Sequence, residues 1–350
     1  MKIWQKYLFK KALLAFLFFF FCLIAIFIVV DFSVHGLRFL SSQTTSVVDI
    51  ILYYARIFAT LLDLFLPLSF LLASLKVLLD LSGKGELVAL QMAGLSKKRL
   101  LIPFFAIASG LSLFSYINAE YFAPDAQDLT SAFMSAHKPP KKENRDAQLF
   151  SISLADNSNL IYHYYETNQR TLYDVFWIRA PDDIWHMKSL QTDELKGSFV
   201  DHLIRNEVHQ LEKTDSFAEK IFEELPLNPK ILLQKFVPYD NRPLFTLFVQ
   251  ALGVSADKPR ILSHLYYKLL VPLTSLLIPL IIGPIAMRFA RHRPQLLITA
   301  SCLFGFISLK VVWDGMLVLG ENQVLPPIVA MMGPIGFVLL FAVPQFAKTQ

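Results

Sequence analysis

Ionisable side chains interrupt stretches of this sequence that are otherwise almost entirely apolar. Asp63 lies in one such stretch, Lys268 in another, and Lys310 and Asp314 in a third. Charged groups in hydrocarbon surroundings are costly, so positions that keep them are candidates for binding or transport. Together they predict a polar vestibule suited to an amphiphile with an anionic head group. Its predicted members are His35, Arg38, Arg56, Asp63, Lys268, Lys310 and Asp314.

A simpler interpretation exists for two of these residues. Lys310 and Asp314 stand four positions apart, which places both on one face of a helix. They can therefore neutralise each other without touching a ligand. The sequence leaves both interpretations open.

Signatures of catalysis are sparse in this sequence. It contains no phosphate-binding loop, no zinc-protease motif and no nucleophile elbow. Ser255 and Lys258 form an isolated Ser-x-x-Lys in a polar linker, without a companion motif. Five further histidines lack the spacing of metal ligands, namely His137, His163, His186, His202 and His209. We therefore expect no catalytic residue, metal or cofactor in this chain.

The composition determines where these residues must reside. The chain has 350 residues, of which 54% are hydrophobic and only 17% charged, and its phenylalanines number 31. Its mean hydropathy is +0.46. A soluble domain typically has about 25% charged residues. The composition therefore excludes a soluble enzyme and a disordered regulator, and it indicates an integral membrane protein.

Six apolar stretches are long enough to cross a bilayer, which takes about 20 residues per helix. They are roughly 12–32, 57–79, 100–118, 264–286, 296–319 and 327–346. We expect each to be helical, because hydrocarbon offers no partner for a free backbone amide. Lysine and arginine concentrate beside alternate ends, which places both termini in the cytoplasm. The charged vestibule then falls in the outer half of the membrane.

The segment between the third and fourth stretches has a different character. Residues 120–258 carry a net charge of −6, whereas the rest of the chain carries +11. Short alternating runs at 149–154, 159–164 and 172–178 predict strands separated by turns. Both cysteines, Cys22 and Cys302, lie in predicted helices, so this segment has no disulfide.

The predicted fold is therefore an α-helical integral membrane protein with six transmembrane helices, in a three-plus-three arrangement around an inserted all-β, jellyroll-like domain. The predicted divisions are 1–118 for the first three helices, 119–258 for the external domain with its linkers, and 259–350 for the last three helices.

The loop between the second and third stretches predicts a short helix within about 82–97. Apolar residues occupy both of its faces, Gly94 suits a left-handed helix end, and Ser96 can cap the next helix. Such a helix either lies on lipid or fits into a groove of a partner protein, and the two apolar faces favour the groove.

This loop resembles the LptF/LptG family, the permeases of the lipopolysaccharide-export ABC transporter. The similar stretch begins at Glu86, ends at Ser96 and is followed by Pro103. Further similar stretches are 160–163 with 172–175, 268–272, and 319–320 with 325–327 and 333–334. The resemblance therefore extends along essentially the whole chain.

The resemblance implies a multi-pass permease in the inner membrane of a Gram-negative-type bacterium, with a periplasmic β-jellyroll. The implied partners are a cytoplasmic ATPase dimer that holds ATP and magnesium, a paralogous permease, an accessory jellyroll protein, lipopolysaccharide and membrane lipids, with no nucleic acid. The implied ATPase-coupling residues are Glu86, Leu87, Leu90, Gln91, Gly94 and Leu95. An apolar lipid groove on the jellyroll is expected to involve Phe150, Ile152, Ile161, Phe176 and Ile178.

The sequence leaves two alternatives to lipid export open. One is an ABC permease that transmits force to an external protein without moving lipid. The other is a membrane-embedded enzyme acting on lipid or peptide, which the scarcity of catalytic motifs disfavours.

Overall fold

The computed structural model divides the chain into two compact units, one of residues 1–138 with 238–350 and one of residues 139–237. The described residues are 2–41, 46–124, 126, 129–130, 150–154, 158–166, 170–180, 182–205, 211–222, 225, 238–253, 257–289 and 294–347, with the side chains of 37–41, 150–153, 165–166, 211 and 288–289 excepted. The first unit is helical, and the second is built from β-strands.

Nine α-helices make up the helical unit in the described part of the chain. They are α1 (Ile3–Ser41), α2 (Val47–Gly83), α3 (Glu86–Met92), α4 (Lys97–Tyr121), α5 (Leu244–Leu252), α6 (Lys258–Leu270), α7 (Thr274–Phe289), α8 (Gln295–Glu321) and α9 (Pro327–Ala347).

Six segments of this unit are long and apolar enough to cross a membrane. They are Ile3–Gly36, Val47–Gly83, Lys97–Tyr121, Lys258–Met287, Gln295–Glu321 and Pro327–Ala347. The prediction of six transmembrane helices is confirmed, and each observed segment contains the predicted one. The fourth combines α6 and α7, which a 3₁₀ turn at Val271–Leu273 separates. Pro272 lies in that turn and has no backbone N–H to continue the α-helix.

The helices pack around α2, α4 and α7, whose buried side chains form one apolar core. Gly283 of α7 lies against Leu101 of α4 so closely that a Cβ atom would overlap the leucine side chain. The peripheral helices are α1 and α8, in which only 6% and 11% of the most apolar window is buried. Their apolar outer faces are therefore available to lipid or to another subunit.

The second unit contains one antiparallel sheet of seven described strands. They are β1 (Phe150–Ser153), β2 (Asn159–Tyr162), β3 (Tyr164–Glu166), β4 (Thr171–Ala180), β5 (Asp183–Gln191), β6 (Lys196–Arg205) and β7 (Leu211–Ile221). The strand order is β1-β2-β4-β5-β6-β7, and β3 pairs with β4. The prediction of a helical membrane protein with an inserted all-β domain is thus confirmed.

One face of the sheet supplies the core of the β unit. Trp177 is fully buried there and donates a hydrogen bond of 2.9 Å to the hydroxyl of Ser158. Phe222 packs edge-on against Trp177 and Trp185. The β unit occupies 139–237, within the predicted 119–258, which included the linkers. After the strands, Leu247 of α5 packs on α6, so this segment belongs to the helical unit.

Candidate functional site

The short helix α3 lies between two glycines with left-handed backbones. Gly85 has a φ of 74° and Gly94 a φ of 82°, and a Cβ built on either residue would meet no atom within 4 Å beyond the glycine and its two chain neighbours. Glycine is favoured at both positions by backbone conformation, since other residues rarely adopt positive φ. The two residues let the chain turn sharply into and out of α3.

The apolar side chains of α3 divide between two faces. Leu87 is buried, and Leu90 packs against the core of the helical unit, as does Leu95 in the loop after α3. These three predicted coupling residues therefore anchor the helix to its own chain. The exposed side is formed by Val88 and by Met92, which is 86% exposed.

Glu86, at the first position of α3, is held by the start of α1. The Tyr7 hydroxyl donates a hydrogen bond of 3.0 Å to Glu86 Oε2. Lys11 Nζ lies 3.5 Å from the same oxygen and donates a hydrogen bond of 3.2 Å to the Tyr7 hydroxyl. The sequence prediction included Glu86 but neither of its partners, because they are 79 and 75 positions away.

A second polar group lies among the spanning helices α2, α4 and α6. Ser115 donates a short hydrogen bond of 2.5 Å to Asp63 Oδ1. Lys268 Nζ donates one of 2.6 Å to the backbone carbonyl of Arg242. Asp63 is within electrostatic range of Lys268 and Lys310. The structure thus brings these three predicted vestibule residues together.

Lys310 and Asp314 form the ion pair that their spacing predicts, with Nζ 2.9 Å from Oδ1. Tyr267 of α6 joins this pair, because its hydroxyl accepts a hydrogen bond from Lys310 and donates one of 2.6 Å to Asp314. The pair is therefore not isolated on α8, and Tyr267 connects it to α6.

The other predicted vestibule residues, His35, Arg56 and Arg38, do not join this cluster in the described part of the structure. His35 Nδ1 lies 3.0 Å from Asp31 Oδ1, and the Tyr53 hydroxyl approaches the other oxygen of Asp31 at 3.5 Å. Arg56 is half-buried and has no ion pair with any residue that the structure describes. The side chain of Arg38 lies outside the described residues.

An ionic cluster around His264, in the middle of α6, was not predicted. The buried His264 has Asp240 Oδ1 3.0 Å from Nδ1 and Glu321 Oε1 2.8 Å from Nε2. The Nδ1 contact is close but is not aligned for a hydrogen bond. His264 nevertheless lowers the pKa of Asp240, and the more distant Lys268 and Lys310 act in the same direction. In the sequence, the only feature that could have indicated His264 and Glu321 is their position near the ends of predicted spans.

The predicted groove residues of the β unit fall on the sheet face opposite its core. Ile161 lies opposite Phe176 in the register of β2 and β4, and Ile178 follows two positions later on the same face. All three are half-buried, and Phe176 stacks on His186 with ring centroids 4.4 Å apart. The side chains of Phe150 and Ile152 lie outside the described residues.

The helical unit also contains a cavity of about 580 Å³ between α2, α7, α8 and α9. Its lining is almost wholly apolar, with Ile278, Ile282, Phe306 and Phe337 among the contributing side chains. In the described residues, no group of three or more His, Cys, Asp or Glu side chains has a metal-binding arrangement.

This architecture defines a class, the multi-pass helical membrane proteins that a β domain interrupts once, between the third and fourth spans. The family described as "Lipopolysaccharide export system permease LptF/LptG" matches residues 6–347, nearly the whole chain. The chain therefore belongs to the LptF/LptG family. A comparison with curated proteins finds no match. Family membership implies a lipopolysaccharide-export permease, and this family is one of transporter components.

Proposed function

We propose that this chain is the permease subunit that extracts lipopolysaccharide from the outer leaflet of the inner membrane and passes it to a periplasmic bridge. A separate cytoplasmic ATPase dimer supplies the energy, and a paralogous permease completes the pathway. The observation that carries the proposal is the family match over residues 6–347, taken together with the β domain inserted between spans three and four.

In this proposal the N- and C-termini face the cytoplasm and the β unit faces the periplasm. The distribution of charge supports this orientation. Outside residues 120–258, 12 lysine and arginine residues lie in the terminal segments and loops on the side of the spans that faces the cytoplasm in this proposal. Lysine and arginine are enriched in cytoplasmic loops. The loop that holds α3 is then on the same side as the ATPase.

α3 is the proposed contact with the ATPase. Val88 and Met92 offer it a small apolar surface, while Leu87 fastens the helix to the core of the helical unit. Glu86 is bound to α1 through Tyr7 and Lys11. A push on α3 therefore reaches both the core and the peripheral helix α1.

The cluster of Asp63, Lys268 and Lys310 is the proposed site for the charged head group. A cation inside a membrane is expensive unless it is paired, and it attracts anions that enter its surroundings. The apolar cavity nearby and the outer faces of α1 and α8 offer hydrocarbon surroundings for acyl chains. Ile161, Phe176 and Ile178 are proposed to receive those chains on the β unit.

The test is purification of the chain from its native membrane, followed by identification of bound subunits and lipid by mass spectrometry. We expect an ATPase, a second permease and lipopolysaccharide. An assembly with an ATPase but with phospholipid alone would contradict lipid export, and purification without any ATPase would contradict the proposal as a whole.

The Glu86→Lys variant tests the coupling part separately. We expect loss of ATPase co-purification with normal membrane insertion. Glu194→Lys makes the same charge change in an exposed turn of the β unit and serves as the control. Normal ATPase recovery with Glu86→Lys would remove α3 from the coupling mechanism.

A further inference from the structure

The helix α5 carries an apolar stripe that no other part of the described chain covers. Phe245, Phe248, Val249 and Leu252 are each at least half exposed. Their spacing of three, four and seven positions places them within an arc of about 100° on one side of the helix. Large contiguous apolar patches on a protein surface mark an interaction site.

Two independent contacts fix the level of α5 relative to the spans. On one side, the backbone N–H of Phe245 donates a hydrogen bond of 3.1 Å to Glu120, the penultimate residue of α4. On another side, Leu247 packs in a fully buried position against Ile261 and Leu265, in the first turns of α6. α5 therefore lies where one span ends and the next begins, which is the level of the membrane–water boundary.

The surroundings of α5 at this level match those of an interfacial helix. Tyr121 and Phe122 follow Glu120 and are both more than half exposed, and aromatic side chains are enriched at membrane boundaries. Lys258 and Arg260 are exposed just beyond the end of α5, where they can meet anionic lipid head groups. The side of α5 that holds Thr246 and Gln250 is polar.

We infer that α5 is an interfacial anchor whose stripe of Phe245, Phe248, Val249 and Leu252 is immersed in the lipid boundary at the ends of α4 and α6. The occupant of the stripe is the bilayer itself, at the depth of the head groups and the first acyl carbons. Because α5 stands in the chain between the β unit and the fourth span, this anchor fixes the point at which the chain re-enters the membrane.

The experiment uses the full chain, co-expressed with its partner subunits and reconstituted in phosphatidylethanolamine–phosphatidylglycerol vesicles. Cys22 and Cys302 are replaced by alanine, and a single cysteine carrying an environment-sensitive fluorophore is placed at 248 or 246. The Phe248→Cys site tests the stripe, and Thr246→Cys, two positions away on the polar side, is the matched control. Quenching is measured with shallow doxyl-labelled lipids and with aqueous iodide.

We expect lipid quenching at 248 to exceed that at 246 by about threefold, with iodide quenching in the opposite order. Strong iodide quenching at 248 with weak lipid quenching there would mean that the stripe faces water and would overturn the inference. Protection at 248 from both quenchers would mean that a protein covers the stripe, and it would overturn the lipid assignment. Leu252→Cys repeats the measurement at the far end of the stripe, in case the 248 variant fails to insert.

Discussion

The Tyr7 hydroxyl donates a hydrogen bond of 3.0 Å to the carboxylate of Glu86, so the start of α1 is bound to the start of α3. α1 is the least buried of the six spans, while α3 anchors to the core through Leu87. The contact joins the loop of the proposed ATPase interface to a peripheral helix whose outer face is available to lipid or to another subunit. In the proposed mechanism, this contact is the path by which movement of α3 reaches α1.

Removal of this hydrogen bond is expected to uncouple lipopolysaccharide transport from ATP hydrolysis without disrupting assembly with the ATPase. In Tyr7→Phe the ring stays and only the hydroxyl is lost, and a hydrogen bond to a charged group contributes about 1.5–3 kcal/mol. We expect lipopolysaccharide release per ATP hydrolysed to fall several-fold while ATPase co-purification stays normal. Tyr121→Phe, in an exposed tyrosine at the end of α4, is the control. Unchanged release per ATP would mean that the contact transmits no force.

A second prediction concerns the backbone at the end of α3. Gly94→Ala introduces no contact, but it forces alanine into a positive φ, at a cost of about 1 kcal/mol. We expect faster amide exchange in α3 and weaker ATPase association, with Gly94→Asn intermediate, since asparagine tolerates this conformation better. Gly110→Ala, at an uncrowded glycine inside α4, should show neither effect. Equal behaviour of the two alanine variants would contradict the argument.

The six spans could be predicted from the sequence because hydrocarbon imposes one condition on every spanning segment, namely internal hydrogen bonding. The pairing of Lys310 with Asp314 was also predictable, because it depends only on helical spacing. The contribution of Tyr267 was not, since it depends on how α6 and α8 are rotated against each other. The same reason concealed the contact of Tyr7 with Glu86.

The remaining predictions were limited by features that a sequence pattern does not show, such as which face of a helix turns inward and whether a short helix forms. α3 has apolar residues on both faces, so the sequence did not show that Leu87, Leu90 and Leu95 turn inward. α5 has nine residues, too few to register as a span, and it was assigned to the external domain. β7 contains five charged residues in eleven, and its strand character comes from pairing with β6 and not from an apolar pattern.

The role of the Lys310–Asp314 pair can be decided by neutralising each partner. If Lys310 binds the head group, Lys310→Gln should reduce lipopolysaccharide crosslinking about tenfold, and adding Asp314→Asn should not restore it. If the two residues only neutralise each other, the double variant should recover normal lipopolysaccharide crosslinking. Lys76 and Asp80 on α2 have the same spacing and a distance of 3.1 Å, so their neutralised variants are the control. Recovery in the Lys310–Asp314 double variant would remove Lys310 from the proposed site.

The Asp240–His264 contact predicts a pH dependence with a definite sign. His264 lowers the pKa of Asp240 in the folded state, so the interaction stabilises the fold above the usual aspartate pKa. This contribution is lost as the pH falls through the lowered folded-state pKa. We therefore expect the thermal midpoint of the wild-type chain in detergent to fall as the pH drops below the usual aspartate pKa of about 3.9, and to fall more steeply than that of Asp240→Asn. Parallel slopes would show that the contact does not contribute.

The close approach of α4 and α7 predicts a coupled pair of substitutions. Gly283→Ala places a Cβ against Leu101, and overpacking of this kind destabilises by about 1–3 kcal/mol. Leu101→Ala alone should also destabilise, because the leucine is buried in the core of the helical unit. In the double variant the new methyl group occupies part of the space that Leu101 vacates. The double variant should therefore be destabilised by less than the sum of the two single substitutions. Reversible unfolding in mixed micelles measures the free energy of unfolding of each variant. The control is Gly336→Ala, where a Cβ meets no atom within 4 Å apart from its chain neighbours and the backbone of its own helix. Strict additivity would mean that α4 and α7 move apart to admit the methyl group and that the crossing is not fixed by Gly283.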